Sequence, residues 1–102
     1  MLTNLFADRI QLQEKTVVQG ALGQTLTWKP VQWKYAAVIP LSAEARAQYQ
    51  QLNSVVTHKI ILRGDVTITL GNYRMKHGAK IYEPAGPTQL IDGNTVIVCK
   101  EV

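Results

Sequence analysis

The sequence predicts a mainly β fold, a small curled sheet or β-barrel of about six short strands with one α-helix at about residues 42–53. Three observations carry this. Polar and apolar residues alternate with period two over most of the chain, turn-forming Gly, Asn and Asp break that alternation at short intervals, and only one stretch has helical spacing. At 102 residues the chain has room for a single domain, 1–102, with one core. Short strands cannot make two large sheets in so small a chain, so a sheet curled against a helix is the economical way to bury apolar faces.

The first strand is predicted near 9–19, where Arg9-Ile10-Gln11-Leu12-Gln13 alternates and Val17 and Val18 extend the pattern. Gly20 to Thr25 reads as a loop, part of a projecting loop at 20–30. A second strand follows Pro30, with Val31, Trp33, Tyr35, Ala37 and Ile39 on a buried face and Gln32 and Lys34 opposite. Pro40 ends it, and Ser42 is a suitable N-cap for a helix from Ala43 to Leu52. Ala45, Tyr49 and Leu52 make its apolar stripe, so Tyr49→Ala is expected to cost about 3 kcal/mol, as truncation of a buried aromatic does.

After Asn53-Ser54 alternation returns, with Val56, His58, Ile60 and Leu62 on one face. Gly64-Asp65 makes a turn before a strand carrying Val66, Ile68 and Leu70. Tyr73–Lys76 and Ala79–Glu83 read as a hairpin about His77-Gly78, where glycine supplies a positive φ. Pro84 and Pro87 interrupt the segment 84–91, a second projecting loop, and Asp92-Gly93-Asn94 turns the chain into a last strand at about 95–101.

Composition excludes several classes. Charged residues are 18% and apolar residues 46%, fitting a folded chain, and no apolar run is long enough to span a bilayer. Met1 to Asp8 lacks the basic and apolar regions of a signal peptide, so cytoplasmic synthesis is expected. Cys99 is the only cysteine and lies in an apolar run, which predicts a buried, unreactive thiol. The net charge of +4 comes from scattered cations, which tolerates DNA nearby without sequence readout.

No catalytic constellation, metal-ligand spacing or cofactor motif is present, so neither enzymatic activity nor a cofactor is expected. His58 falls on an apolar face and reads as a core or interface histidine; His77 falls in a turn. Arg63-Gly64-Asp65 matches an adhesion tripeptide, but the turn explains each of its residues. Trp28, Trp33 and Tyr35, flanked by Lys29 and Lys34, could stack on bases; packing in a core or subunit interface is the preferred reading.

The stretch Trp33-Lys34-Tyr35-Ala36-Ala37-Val38-Ile39-Pro40-Leu41-Ser42-Ala43-Glu44, a helix with Ala47, and Ser54 to Arg63 around Thr57-His58-Lys59-Ile60 resemble the phage head–tail joining family. These are the head-closure, head completion or connector proteins of long-tailed phages. The likeness runs on through Tyr73-Arg74-Met75, Gly78, Ile81-Tyr82-Glu83 and Val98-Cys99-Lys100-Glu101, covering about 28–101 in the family's order. Pro84 and Pro87 depart from the family's unbroken strand, and Asp65-Val66-Thr67-Ile68 from its Gly-Ile-x-Pro turn.

The resemblance implies a barrel-like subunit of the virion neck, repeated in a ring below the portal. That ring would extend the channel for double-stranded DNA and offer a docking surface to the tail. Partners would be copies of itself, portal or adaptor proteins, tail proteins and non-specifically held DNA, with no membrane. Candidate ring or partner contacts are Gly20, Leu22, Gly23, Gln24 and Thr25 in one loop and Pro84, Gly86 and Pro87 in the other. Lys15, Lys29 and Lys34 are candidates to face DNA or the portal. A neck adaptor, a tail terminator or a single-strand-binding small barrel are the alternatives.

Overall fold

A computed structural model describes residues 6–52, 55–69 and 71–102. In chain order the elements are β1 (Asp8–Gly20), β2 (Gly23–Pro40), α1 (Ala43–Gln51), β3 (His58–Leu62), β4 (Tyr73–His77), β5 (Lys80–Pro84), β6 (Gln89–Ile91) and β7 (Asn94–Glu101). The strands form one antiparallel sheet in the order β3-β2-β1-β4-β5-β7-β6, and β3 also pairs with β7. That last pairing closes the cycle β1-β2-β3-β7-β5-β4. The mainly β expectation holds, as a closed six-strand barrel with β6 appended to it.

The barrel interior is filled largely by the residues that alternation assigns to it, with Ala36 of β2 as an exception. Ile10, Leu12, Ala36, Ile60, Leu62, Met75, Tyr82, Ile97 and Cys99 are all at most 2% exposed. Burying a large apolar side chain of this kind is worth about 2 kcal/mol, and these residues form one continuous cluster. Val66 and Ile68 also pack into the cluster, although 65–69 is not a strand. Their period-two pattern records burial without ladder pairing; Leu70 lies outside the described residues.

Two strands are far longer than expected. β1 and β2 pair from Asp8↔Ala36 to Gly20↔Gly23, leaving only Ala21-Leu22 as a turn. The loop predicted at 20–30 is therefore a strand from Gly23 onward, because Thr25, Leu26, Thr27 and Trp28 suit a ladder and the glycines mark only its ends. β4 covers β1 only at Gln11–Glu14 and β3 covers β2 only at Ala36–Pro40, so the far part of the hairpin leaves the barrel as a two-stranded arm. The radius of gyration, 14.7 Å, exceeds the roughly 13 Å of a compact chain of this length.

β2 carries a bulge. Leu12 pairs with Gln32 and Gln13 with Pro30, so Val31 is the extra residue. This inverts the facing of everything beyond it: Trp28 and Trp33, an odd number of residues apart, come to the same outer wall.

Helix α1 is capped as expected, Ser42 Oγ accepting the Ala45 amide at 3.2 Å. It nonetheless buries no residue: Tyr49 is half-buried and Leu52 is 74% exposed. The predicted buried stripe is corrected, since a closed barrel needs no helix to cover its core. The helix ends at Gln51; the expected end at residue 53 falls outside the described residues.

The hairpin about Gly78 forms as predicted, with Gly78 at φ 62°. The segment 84–91 is only partly a loop, because Gln89–Ile91 forms β6 and turns through Asp92-Gly93 into β7. Leu90 and Ile91, between a proline-rich stretch and a turn, gave too short a pattern to predict a strand.

Candidate functional site

The outer wall of β2, β1 and β4 gathers the residues best suited to contact a partner. Register places Arg9 beside Tyr35, Gln11 beside Trp33 and Lys76, Gln13 beside Pro30 and Arg74, and Lys15 beside Trp28. Trp33 and Tyr35 are 52% and 55% exposed, which corrects the sequence assignment of Val31, Trp33 and Tyr35 to a buried face. The pattern alternated correctly, but the opposite face, with Ala36 at 0% exposure, turned inward.

The guanidinium of Arg9 lies 4.9 Å from the centre of the Trp33 ring, and that of Arg74 lies 4.5 Å from Trp28. Arg74 Nε also donates to Gln13 Oε1 at 2.6 Å, and Gln13 Nε2 donates to Gln11 Oε1 at 2.7 Å. Four cations, Arg9, Lys15, Arg74 and Lys76, share this wall with three aromatics and, in these registers, no carboxylate. Trp, Tyr and Arg are the residue types that anchor protein interfaces. The sequence showed the aromatic cluster; the arginines that stack on it come from other segments and could not be found from spacing.

The candidate basic residues do not converge. Lys15 is on the outer wall, whereas Lys29, paired with Glu14, and Lys34, paired with Ile10, belong to the opposite face of the hairpin. The candidate contact residues Gly20, Leu22, Gly23, Gln24 and Thr25 form the exposed tip of the arm, where Leu22 stands fully in solvent. Pro84 ends β5, and Gly86 and Pro87 lie on another side of the barrel, beside a groove of about 290 Å³ bordered by Tyr49, Leu52, Val56 and Val98. A Cβ on Gly86 would meet Val98 Cγ2 at 3.0 Å, so the glycine lets this segment cross β7 closely.

The histidines lie at one barrel mouth. His77 Nε2 is 3.5 Å from Asp8 Oδ1 at the end of β4, and the His58 ring meets Tyr82 edge-on at 5.0 Å. His58 Nδ1 and Thr57 Oγ1 are 2.8 Å apart, a satisfied structural histidine as the sequence implied. Among the described residues no group of three His, Cys, Asp or Glu could hold a metal. Burial pushes the Cys99 thiol up to about 12, the behaviour of a core cysteine. A hydrogen bond to Glu14 raises Tyr73, and burial raises Tyr82. Asn94 Oδ1 accepts the Gly64 amide at 3.1 Å, so the Arg-Gly-Asp turn is part of the barrel's framework.

The barrel thus offers two kinds of exposed surface, a projecting arm and an aromatic wall. The model of the phage head completion protein family matches residues 1–102. The chain belongs to that family. This head completion protein is accordingly a structural component of the virion, associated with the head. Its fold is shared with a Shigella flexneri 2a protein solved in solution, at TM-score 0.78 and 19% identity over 99% of this chain and 96% of that one. A chain from the virion of a native gene transfer agent particle is similar at TM-score 0.56 and 18% identity, over 92% and 93% respectively. No curated protein matches the chain.

Proposed function

We propose that this head completion protein is a non-catalytic ring subunit of the neck. Copies sit side by side below the portal, extend the channel through which double-stranded DNA passes, and present a surface on which the tail docks. The observation that carries this is the arm itself. A two-stranded ribbon is marginal alone in water, and one that leaves a closed barrel with no third strand beside it among the described residues is suited to partner contacts. The aromatic and arginine wall is a second contact surface, for portal, adaptor or tail proteins. A charge of +4 per subunit, repeated around a ring, attracts duplex phosphates without reading bases.

Imaging of particles from the phage that encodes the chain tests this. Ring density for the protein at the neck is expected, together with loss of tail attachment when the gene is deleted. Intact tailed particles with no such density would end the proposal. The exposure of Trp33 and Tyr35 favours one rival, a single-strand-binding barrel. A guanidinium over each tryptophan occupies one of the faces that bases would need. Salt-sensitive quenching of tryptophan fluorescence by an oligonucleotide would support the rival.

A further inference from the structure

We infer that the arm of one copy docks in the groove on the far side of the next copy's barrel, so that subunits join head to tail. This rests on the ring reading above and names the two surfaces that would make the ring.

The first observation is charge. Thr16 to Trp28 is a run of thirteen residues without a single charged side chain, in a chain that is 18% charged overall. Solvent-exposed strand edges are ordinarily protected from pairing by charged residues or proline, and this run has neither. It carries Val17, Val18 and Leu26 half-exposed and Leu22 fully exposed. Among the described residues nothing covers Leu22, and Val17, Val18 and Leu26 are covered only in part.

The second observation is the groove between α1 and the 85–89 segment. Tyr49, Leu52, Val56, Gly86, Pro87 and Val98 border it, and none of its lining residues is charged. Leu52 is among the most exposed apolar residues of the protein. At the groove's side lies β6, which among the described residues pairs with β7 alone and so offers its other edge to an added strand.

Topology sets the two surfaces apart. In the cycle β1-β2-β3-β7-β5-β4, β7 stands three strands from β1 in either direction. The arm grows from β1 and β2, and the groove lies over β7, on the opposite side of the barrel. Two different surfaces on opposite sides give a heterologous contact, which closes into a ring when the rotation permits. From Glu14, the last β1 residue paired with β4, to Gly20 the arm extends about 20 Å, at the usual rise per strand residue, enough to overlap a neighbouring barrel.

Neutrality also selects the occupant. Subunits of charge +4 repel one another, and two uncharged apolar surfaces are where such copies can meet with least cost. DNA phosphates or an acidic protein would be matched by cations, which the run from Thr16 to Trp28 lacks.

Paired cysteines test the contact. Cys99 is fully buried, so Leu22→Cys at the arm tip and Gln89→Cys beside the groove would be the reactive thiols. In purified particles the double variant, treated with a short bis-maleimide, should lose most of its monomer band to dimers, trimers and a ladder beyond. Each single variant should stay monomeric, and a mixture of the two should stop at dimers. Neck rings that are visible but give no ladder would overturn the inference while leaving the ring standing. Particles without neck rings would remove both. If the double variant yields no particles, the same reagent is applied to concentrated purified subunit, and absence of a ladder there overturns the inference.

Discussion

The hydroxyl of Thr95 accepts the Val66 amide at 2.8 Å and donates to the Gly64 carbonyl at the same distance. Thr95 is 2% exposed, so one side chain on β7 ties the non-strand segment after Gly64 to the barrel. Thr95→Val keeps the shape and orphans both groups, and should destabilise the protein by about 1–3 kcal/mol. Thr95→Ser should recover most of that loss. Urea unfolding of the two variants checks the comparison.

Tyr82 and Tyr49 should respond very differently to truncation. Tyr82 is 2% exposed in the core, and Tyr82→Ala should cost about 3–5 kcal/mol. Tyr49 is half-buried on a helix that buries nothing fully, and Tyr49→Ala should cost about 1 kcal/mol. Equal losses in thermal unfolding would mean that α1 is packed as tightly as the barrel.

Alkaline pH should weaken the fold through Cys99. Its thiol ionises near 9.0 when unperturbed and is pushed up to about 12 by burial. Below 9 both states keep the proton and stability is unaffected. Between 9 and 12 only the folded state keeps it, so stability falls by up to about 1.4 kcal/mol per pH unit. Cys99→Val should flatten this part of the pH–stability curve; an unchanged curve would assign the loss to other groups.

Arg9→Ala should change stability by no more than about 1 kcal/mol, the scale of an exposed cation–π contact. If the outer wall docks neck or tail proteins, the same change should reduce tailed-particle yield well beyond that small effect. Counting tailed and tailless particles by electron microscopy decides it.

The core was legible because Ile10, Leu12, Ile60, Leu62, Ile97 and Cys99 alternate with polar or outward-facing neighbours, and period two survives any strand order. Which face of β2 turns inward was not legible. Its two faces carry Trp33 and Tyr35 against Ala36 and Val38, and hydrophobicity alone favours burying the aromatics, whereas the narrow interior takes Ala36. The arm was missed for a related reason. Glycines at 20 and 23 signal a turn truthfully, but the uncharged polar residues between them and Trp28 resemble a loop until a partner strand is supplied by Lys15–Gln19. Of the candidate site, the tip and the 84–87 segment were read from the chain, while their placement on different sides of the barrel depends on the long-range β3–β7 closure.

The unpaired Val31 also makes the protein sensitive to chain length at a single point. Pairing that residue, by one residue inserted into β1 between Leu12 and Gln13, would rotate Trp28 and Leu26 to the reverse side of the ribbon relative to Trp33 and scramble what the ribbon presents, whereas deleting Val31 would keep them on the same side. Matched insertions on both strands nearer the tip, two residues at a time, would preserve every orientation. Relatives are thus free to vary the reach of this ribbon in even steps, but not the parity at its root.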